Sequence, residues 1–62
     1  MKYKKYRVDL VYNSGCQSSI EVNTKFEADV IIEAFREEYN INQIYLLVLD
    51  EGKWELLKLK EN

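Results

Sequence analysis

Residues Ile44-Tyr45-Leu46-Leu47-Val48-Leu49 form an unbroken apolar run between Gln43 and the turn-forming Asp50-Glu51-Gly52. The run is rich in β-formers and reads as a strand over Gln43 to Leu49, apolar on both of its faces. Both faces then need cover, and a chain of 62 residues has little to cover them with. A domain of this size buries only about 60% of its unfolded surface, so there is room for one small core and no second domain.

The flanking segments show which elements are on hand. From Lys4 to Tyr12 the apolar residues alternate, with Tyr6, Val8, Leu10 and Tyr12 on one side and Lys5, Arg7 and Asp9 on the other, the two-residue period of a half-buried strand. The alternation resumes over Cys16 to Val22 after Asn13-Ser14-Gly15, a connection that suits a turn closed by Gly15 in the left-handed region. Pairing Tyr12 with Cys16 sets Leu10 opposite Ser18, Val8 opposite Ile20 and Tyr6 opposite Val22, so the apolar members of both strands share one face. Thr24-Lys25-Phe26-Glu27 fits a capping box that opens a helix running to about Asn40. Phe26, Val30, Ile31, Ala34, Phe35 and, one turn on, Glu38 or Tyr39 follow the spacing of its inward face, with Asp29, Glu33, Arg36 and Glu37 outward. Lys53 to Leu59 returns as a last strand. Because glutamate disfavours positive φ, a three-residue turn with only Gly52 left-handed is expected, which pairs Leu49 with Lys53. The expected fold is α+β, in the order ββαββ, with an antiparallel sheet of about four strands and one helix packed on one face.

One helix covers one face of such a sheet and leaves the other open. On the first hairpin the open face carries Lys5, Arg7, Asp9, Gln17, Ser19 and Glu21, which solvent satisfies. On the second it carries Tyr45, Leu47, Leu49, Leu57 and Leu59, while Ile44, Leu46, Val48, Trp54 and Leu56 face the helix. Sealing several hundred Å² of such surface contributes on the order of 10 kcal/mol before association costs. A patch of this kind marks an interface, a two-fold homodimer or a second protein, unless the strands twist so that the N-terminal segment or the C-terminal tail folds over it.

The groups that chemistry requires are sparse. There is no histidine, and the single cysteine, Cys16, is expected on the inward side as a small apolar residue, with no base to activate it. Ser14, Ser18 and Ser19 sit in no nucleophile motif, and Gly15 and Gly52, the only glycines, serve turns and not a phosphate loop. Asp29, Glu33 and Glu37 recur every four residues, but three carboxylates on one helix do not surround an ion. No enzyme activity, metal or cofactor is expected. No apolar run reaches the length of a membrane span, and the basic start of the chain lacks the apolar stretch of a secretory signal, so a cytoplasmic protein is expected.

Charge narrows the choice of partner. The net charge of −2 and pI near 5.0 argue against nucleic acid, for which the best case is Lys5 and Arg7 beside Tyr3 on the first strand. Acids at i and i+4 on a helix repel, so the Asp29, Glu33, Glu37 stripe is either a solvated face or an acidic ridge that docks on a basic partner. Lys, Asn, Ile, Tyr and Phe make up 24 of the 62 residues, against six for Gly, Ala, Arg and Pro, the vocabulary of an AT-rich genome.

In length, acidity, AT-rich vocabulary and lack of catalytic residues, the chain resembles the short accessory proteins of bacteriophages, among them anti-CRISPR and other anti-defence inhibitors. The likeness is one of overall character and carries over no functional residue. It implies a non-catalytic inhibitor or regulator that occludes a larger protein in a bacterial cell. On that reading Asp29, Glu33 and Glu37 meet the partner, and Tyr45, Leu47, Leu49, Leu57 and Leu59 meet the partner or a second copy. The alternative is a small homo-oligomeric structural or regulatory module of the host.

Overall fold

A computed structural model describes residues 5–61, so Tyr3 and Lys4 lie outside the described residues. The first alternating segment forms strand β1 (Lys5–Tyr12) and the second β2 (Gln17–Val22). They pair antiparallel in the register that the apolar pattern requires, Tyr6 with Val22, Val8 with Ile20 and Leu10 with Ser18. Gly15 takes φ 94°, its amide donates to the Tyr12 carbonyl at 2.9 Å, and the Tyr12 amide donates to the Cys16 carbonyl at 2.9 Å. Cys16 itself stands exposed just before β2 and is not the small buried residue expected, because the strand begins one residue later than its alternation suggests.

Helix α1 (Lys25–Phe35) starts at Thr24, whose hydroxyl accepts from the Glu27 amide at 3.1 Å. The Glu27 carboxylate accepts from that same hydroxyl at 3.0 Å, so the second half of the box closes through side chains. The helix stops at Phe35, a turn short of Asn40. Residues 36–40 form a tight connection in which the Glu38 amide donates to the Phe35 carbonyl and the Ile41 amide to the Glu38 carbonyl. That connection is tied to the first turn, where the Asn13 amide donates to the Asn40 carbonyl at 2.8 Å and Asn13 Nδ2 to the Tyr39 carbonyl at 3.0 Å. The early stop frees Ile41 to open β3 (Ile41–Asp50) and to enter the core.

β4 (Lys53–Glu61) closes an antiparallel sheet in the order β2-β1-β3-β4. β2 and β3 both run antiparallel to β1 and so parallel to each other. Their link must cross β1, and that lays α1 over the middle of the sheet. Val8, Leu10, Ile44 and Leu46 from the strands meet Ala28 and Ile32 from the helix, with Ile41 sealing one end. Ile31 and Phe35 pack beside them as the spacing predicts, but Phe26 is 76% exposed and Val30 and Ala34 face solvent. The sequence carries two apolar helical stripes. The one chosen is built around Ala28 and Ile32, both buried against the sheet.

The second turn departs from expectation. Asp50 pairs with Lys53 across a two-residue turn in which Glu51 (φ 49°) and Gly52 (φ 79°) are both left-handed. Such a turn matches the twist of the strands it joins, and here that match outweighs the dislike of glutamate for positive φ. Leu49 therefore faces Trp54 and not Lys53, which moves Trp54 and Leu56 off the helix side of the sheet. A bulge follows, with Leu47 opposite Leu56, Leu46 opposite Lys58, and Leu57 as the extra residue. Glu51→Asn, which accepts the left-handed conformation, is expected to stabilise the fold by about 1 kcal/mol, seen as a higher urea midpoint at unchanged slope. A lowered midpoint would assign the Glu51 side chain a stabilising contact of its own.

Candidate functional site

The far face of the sheet, turned away from α1, divides along its length into two chemically distinct halves. On β1 and β2, Lys5 lies 3.7 Å from Glu21, Arg7 Nη2 donates to Asp9 Oδ2 at 3.0 Å, and Ser19 Oγ donates to Asp9 Oδ1 at 2.8 Å. These groups engage one another within the chain. On β3 and β4 the cross-strand pairs are Leu49 with Trp54, Leu47 with Leu56 and Tyr45 with Leu59. All six side chains stand on one face by the alternation of the pleat. Leu56 is 55% exposed and Leu59 43%, although the facing side of β3 holds Ile44, Leu46 and Val48 in the core.

Arg7 joins the halves. Its guanidinium sits over the Trp54 ring, 4.7 Å from the centroid, while Asp9 holds it from the side. Arg7 Nε lies 2.9 Å from Asp9 Oδ1 but is not aligned for a hydrogen bond. Cation and ring fix each other where the polar half meets the apolar half. Tyr45 is held similarly, with its hydroxyl donating to Gln43 Oε1 at 2.7 Å. Beside it a shallow depression of about 390 Å³ runs between Asp9, Val11, Tyr45, Leu47 and Leu56. An apolar centre bordered by charged side chains has the anatomy of a protein interface, an apolar core and a polar rim.

The structure brings Tyr45, Leu47, Leu49 and Leu59 together as expected and adds Trp54 and Leu56, which sequence reasoning assigned to the core. Leu57, the bulge residue, is 49% exposed and faces no residue of β3. The signal for Trp54 and Leu56 lies in the turn: had Glu51-Gly52 been read as a two-residue connection, alternation alone would have placed both beside Leu49 and Leu47.

The acidic stripe is shorter than its spacing implies. Asp29 and Glu33 project from α1, each with a base close in sequence, Lys25 Nζ at 3.2 Å from Asp29 and Arg36 Nη1, from the residue that caps the helix, at 3.0 Å from Glu33. Glu37 falls beyond the helix end, in the 36–40 connection, and so leaves the stripe. Beside these acids the outer helix face presents Phe26 and Val30. Among the described residues no group of three or more His, Cys, Asp or Glu could hold a metal ion, and no helix is long and apolar enough to cross a membrane.

Leu46 and Leu56 sit on opposite sides of the sheet and differ in consequence. Leu46→Ala is expected to lose about 2–5 kcal/mol, enough to unfold most of so small a domain, whereas Leu56→Lys changes stability by no more than about 0.5 kcal/mol. Equal losses in urea denaturation would mean that Leu56 is covered within the single chain. Compared with protein families, with curated proteins and with solved structures, the chain matches none of them.

Proposed function

We propose that this protein is a non-catalytic binding module that inhibits or regulates a larger protein by covering part of its surface. The observation that carries this reading is the apolar half of the far sheet face, Tyr45, Leu47, Leu49, Trp54, Leu56 and Leu59, set beside the paired charges of β1 and β2. Trp54 is already ordered against Arg7, so a partner seated there meets an anchor that loses little further freedom on binding. Asp29 and Glu33, on the opposite layer, offer a secondary contact to a basic partner, with Glu37 following from the connection. The phage-like character of the sequence makes a bacterial defence protein, one that handles nucleic acid, the favoured target. A position of its gene among phage or defence genes would support that assignment, and a position in a conserved housekeeping operon would oppose it.

Self-association is the second reading, and one observation favours it. The far face pairs an apolar strip with both signs of charge, Lys5 and Glu21, Arg7 and Asp9, so two copies related by a two-fold axis can match leucine to leucine and base to acid. Sedimentation from 1 to 100 µM, together with capture from a low-GC bacterial lysate, separates the readings. A monomer whose captured partner binds at least about tenfold more weakly to Leu56→Asp supports occlusion of a second protein. A dimer that Leu56→Asp dissolves supports self-association. A monomer whose partner binds Leu56→Asp as tightly as the wild type would contradict any role for this face.

A further inference from the structure

Lys58 and Lys60 stand on the side of the sheet where lysine is least expected. Their partners across the β3–β4 ladder, Leu46 and Ile44, are core residues on the helix face. The bulge at Leu57 puts them there. With regular pairing from the turn onward, Leu57 and Leu59 would take the helix-side positions and both lysines the far face. Bulges recur beside functional sites because they re-aim side chains in this way.

What the lysines face is a cleft. α1 packs on β1, β2 and β3 but not on β4, which leaves an opening of about 200 Å³ between the helix and the last strand. Ile32, Ile44 and Leu46 form its floor, Asp29 and Glu33 one wall, and Lys58 and Lys60 the other. The two walls differ in how far their charge is already engaged. Asp29 and Glu33 have Lys25 and Arg36, whereas neither Lys58 nor Lys60 makes an ion pair or side-chain hydrogen bond among the described residues. The cleft therefore presents two unengaged cations above an apolar floor.

We propose that this cleft binds a small amphiphilic carboxylate, with the carboxylate between Lys58 and Lys60 and its aliphatic chain on Ile32, Ile44 and Leu46. The volume equals that of about seven waters at 30 Å³ each, which suits a chain of about six carbons. The acidic wall sets the charge of the ligand: a second anionic group reaching across would meet Asp29 and Glu33, so a monoanion with an apolar end is selected. This site lies on the helix side of the sheet and is independent of the far face, so either can fail without the other.

An NMR titration of the ¹⁵N-labelled full chain with sodium hexanoate, 1-hexanol and sodium phosphate tests it. Hexanoate is expected to give saturable shifts centred on Ile32, Leu46, Lys58 and Lys60, and to bind more tightly than hexanol or phosphate, each of which supplies only half of the match. The double variant Lys58→Gln, Lys60→Gln, changed only at exposed positions, should keep the wild-type spectrum elsewhere and bind hexanoate at least about tenfold more weakly, with hexanol binding unchanged. Non-saturating shifts, shifts centred on Tyr45 and Leu56, equal affinity for hexanol, or hexanoate binding that survives the double variant would each overturn the proposal.

Discussion

An eleven-residue helix is about 16 Å long and about 10 Å across, and a four-stranded sheet is about 19 Å wide. The helix covers two strands and part of a third, and the exposed face and the open edge of the sheet follow from that shortfall. Because β2 and β3 run parallel with β1 between them, the crossover fixes α1 above β1. β4, at the far edge, then has no helix over it. A strand beside a core but uncovered by one can carry charge on the core side, and β4 does so with Glu55, Lys58 and Lys60. Its leucines and tryptophan lie on the opposite face, where no layer of the described residues covers them.

The first half of the fold was legible in the sequence because three local signals agree there. Alternation, a glycine at the one left-handed turn position and the pairing of apolar residues all require the same register, and that register is found. The Thr24 cap and the order of elements were equally readable. The end of the helix was not. Arg36-Glu37-Glu38-Tyr39-Asn40 opposes a further turn of helix only weakly, through the repulsion of Glu37 by Glu33 and the acids at the helix C-terminus. The bonds of Asn13, remote in sequence, to the carbonyls of Tyr39 and Asn40 hold the chain in its connection instead. The inward stripe of α1 was ambiguous for a related reason, since only the sheet decides between Ala28-Ile32 and Phe26-Val30.

The candidate site was legible in kind and misread in membership. That β3 is apolar on both faces is a property of six consecutive residues and survives any choice of register; the pairing with β1 then sets Tyr45, Leu47 and Leu49 on the far face, as expected. Their neighbours on β4 depend on a turn whose energetics oppose each other, the twist of the hairpin against the backbone preference of Glu51. Trp54 and Leu56 changed sides when the turn shortened by one residue, and the bulge at Leu57 then kept Leu59 opposite Tyr45. Side-chain period determines the two faces of a strand, but a single residue in a turn determines which face is which.

The most direct test of this account is the surroundings of the Leu59 methyl groups, read from nuclear Overhauser contacts in the monomer. The bulged register with an open far face predicts contacts from Leu59 to the Tyr45 ring and none to Ile32. Contacts between Leu59 and Ile32 would show β4 paired without its bulge, its leucines closed beneath the helix, and the surface on which the functional reading rests would not exist.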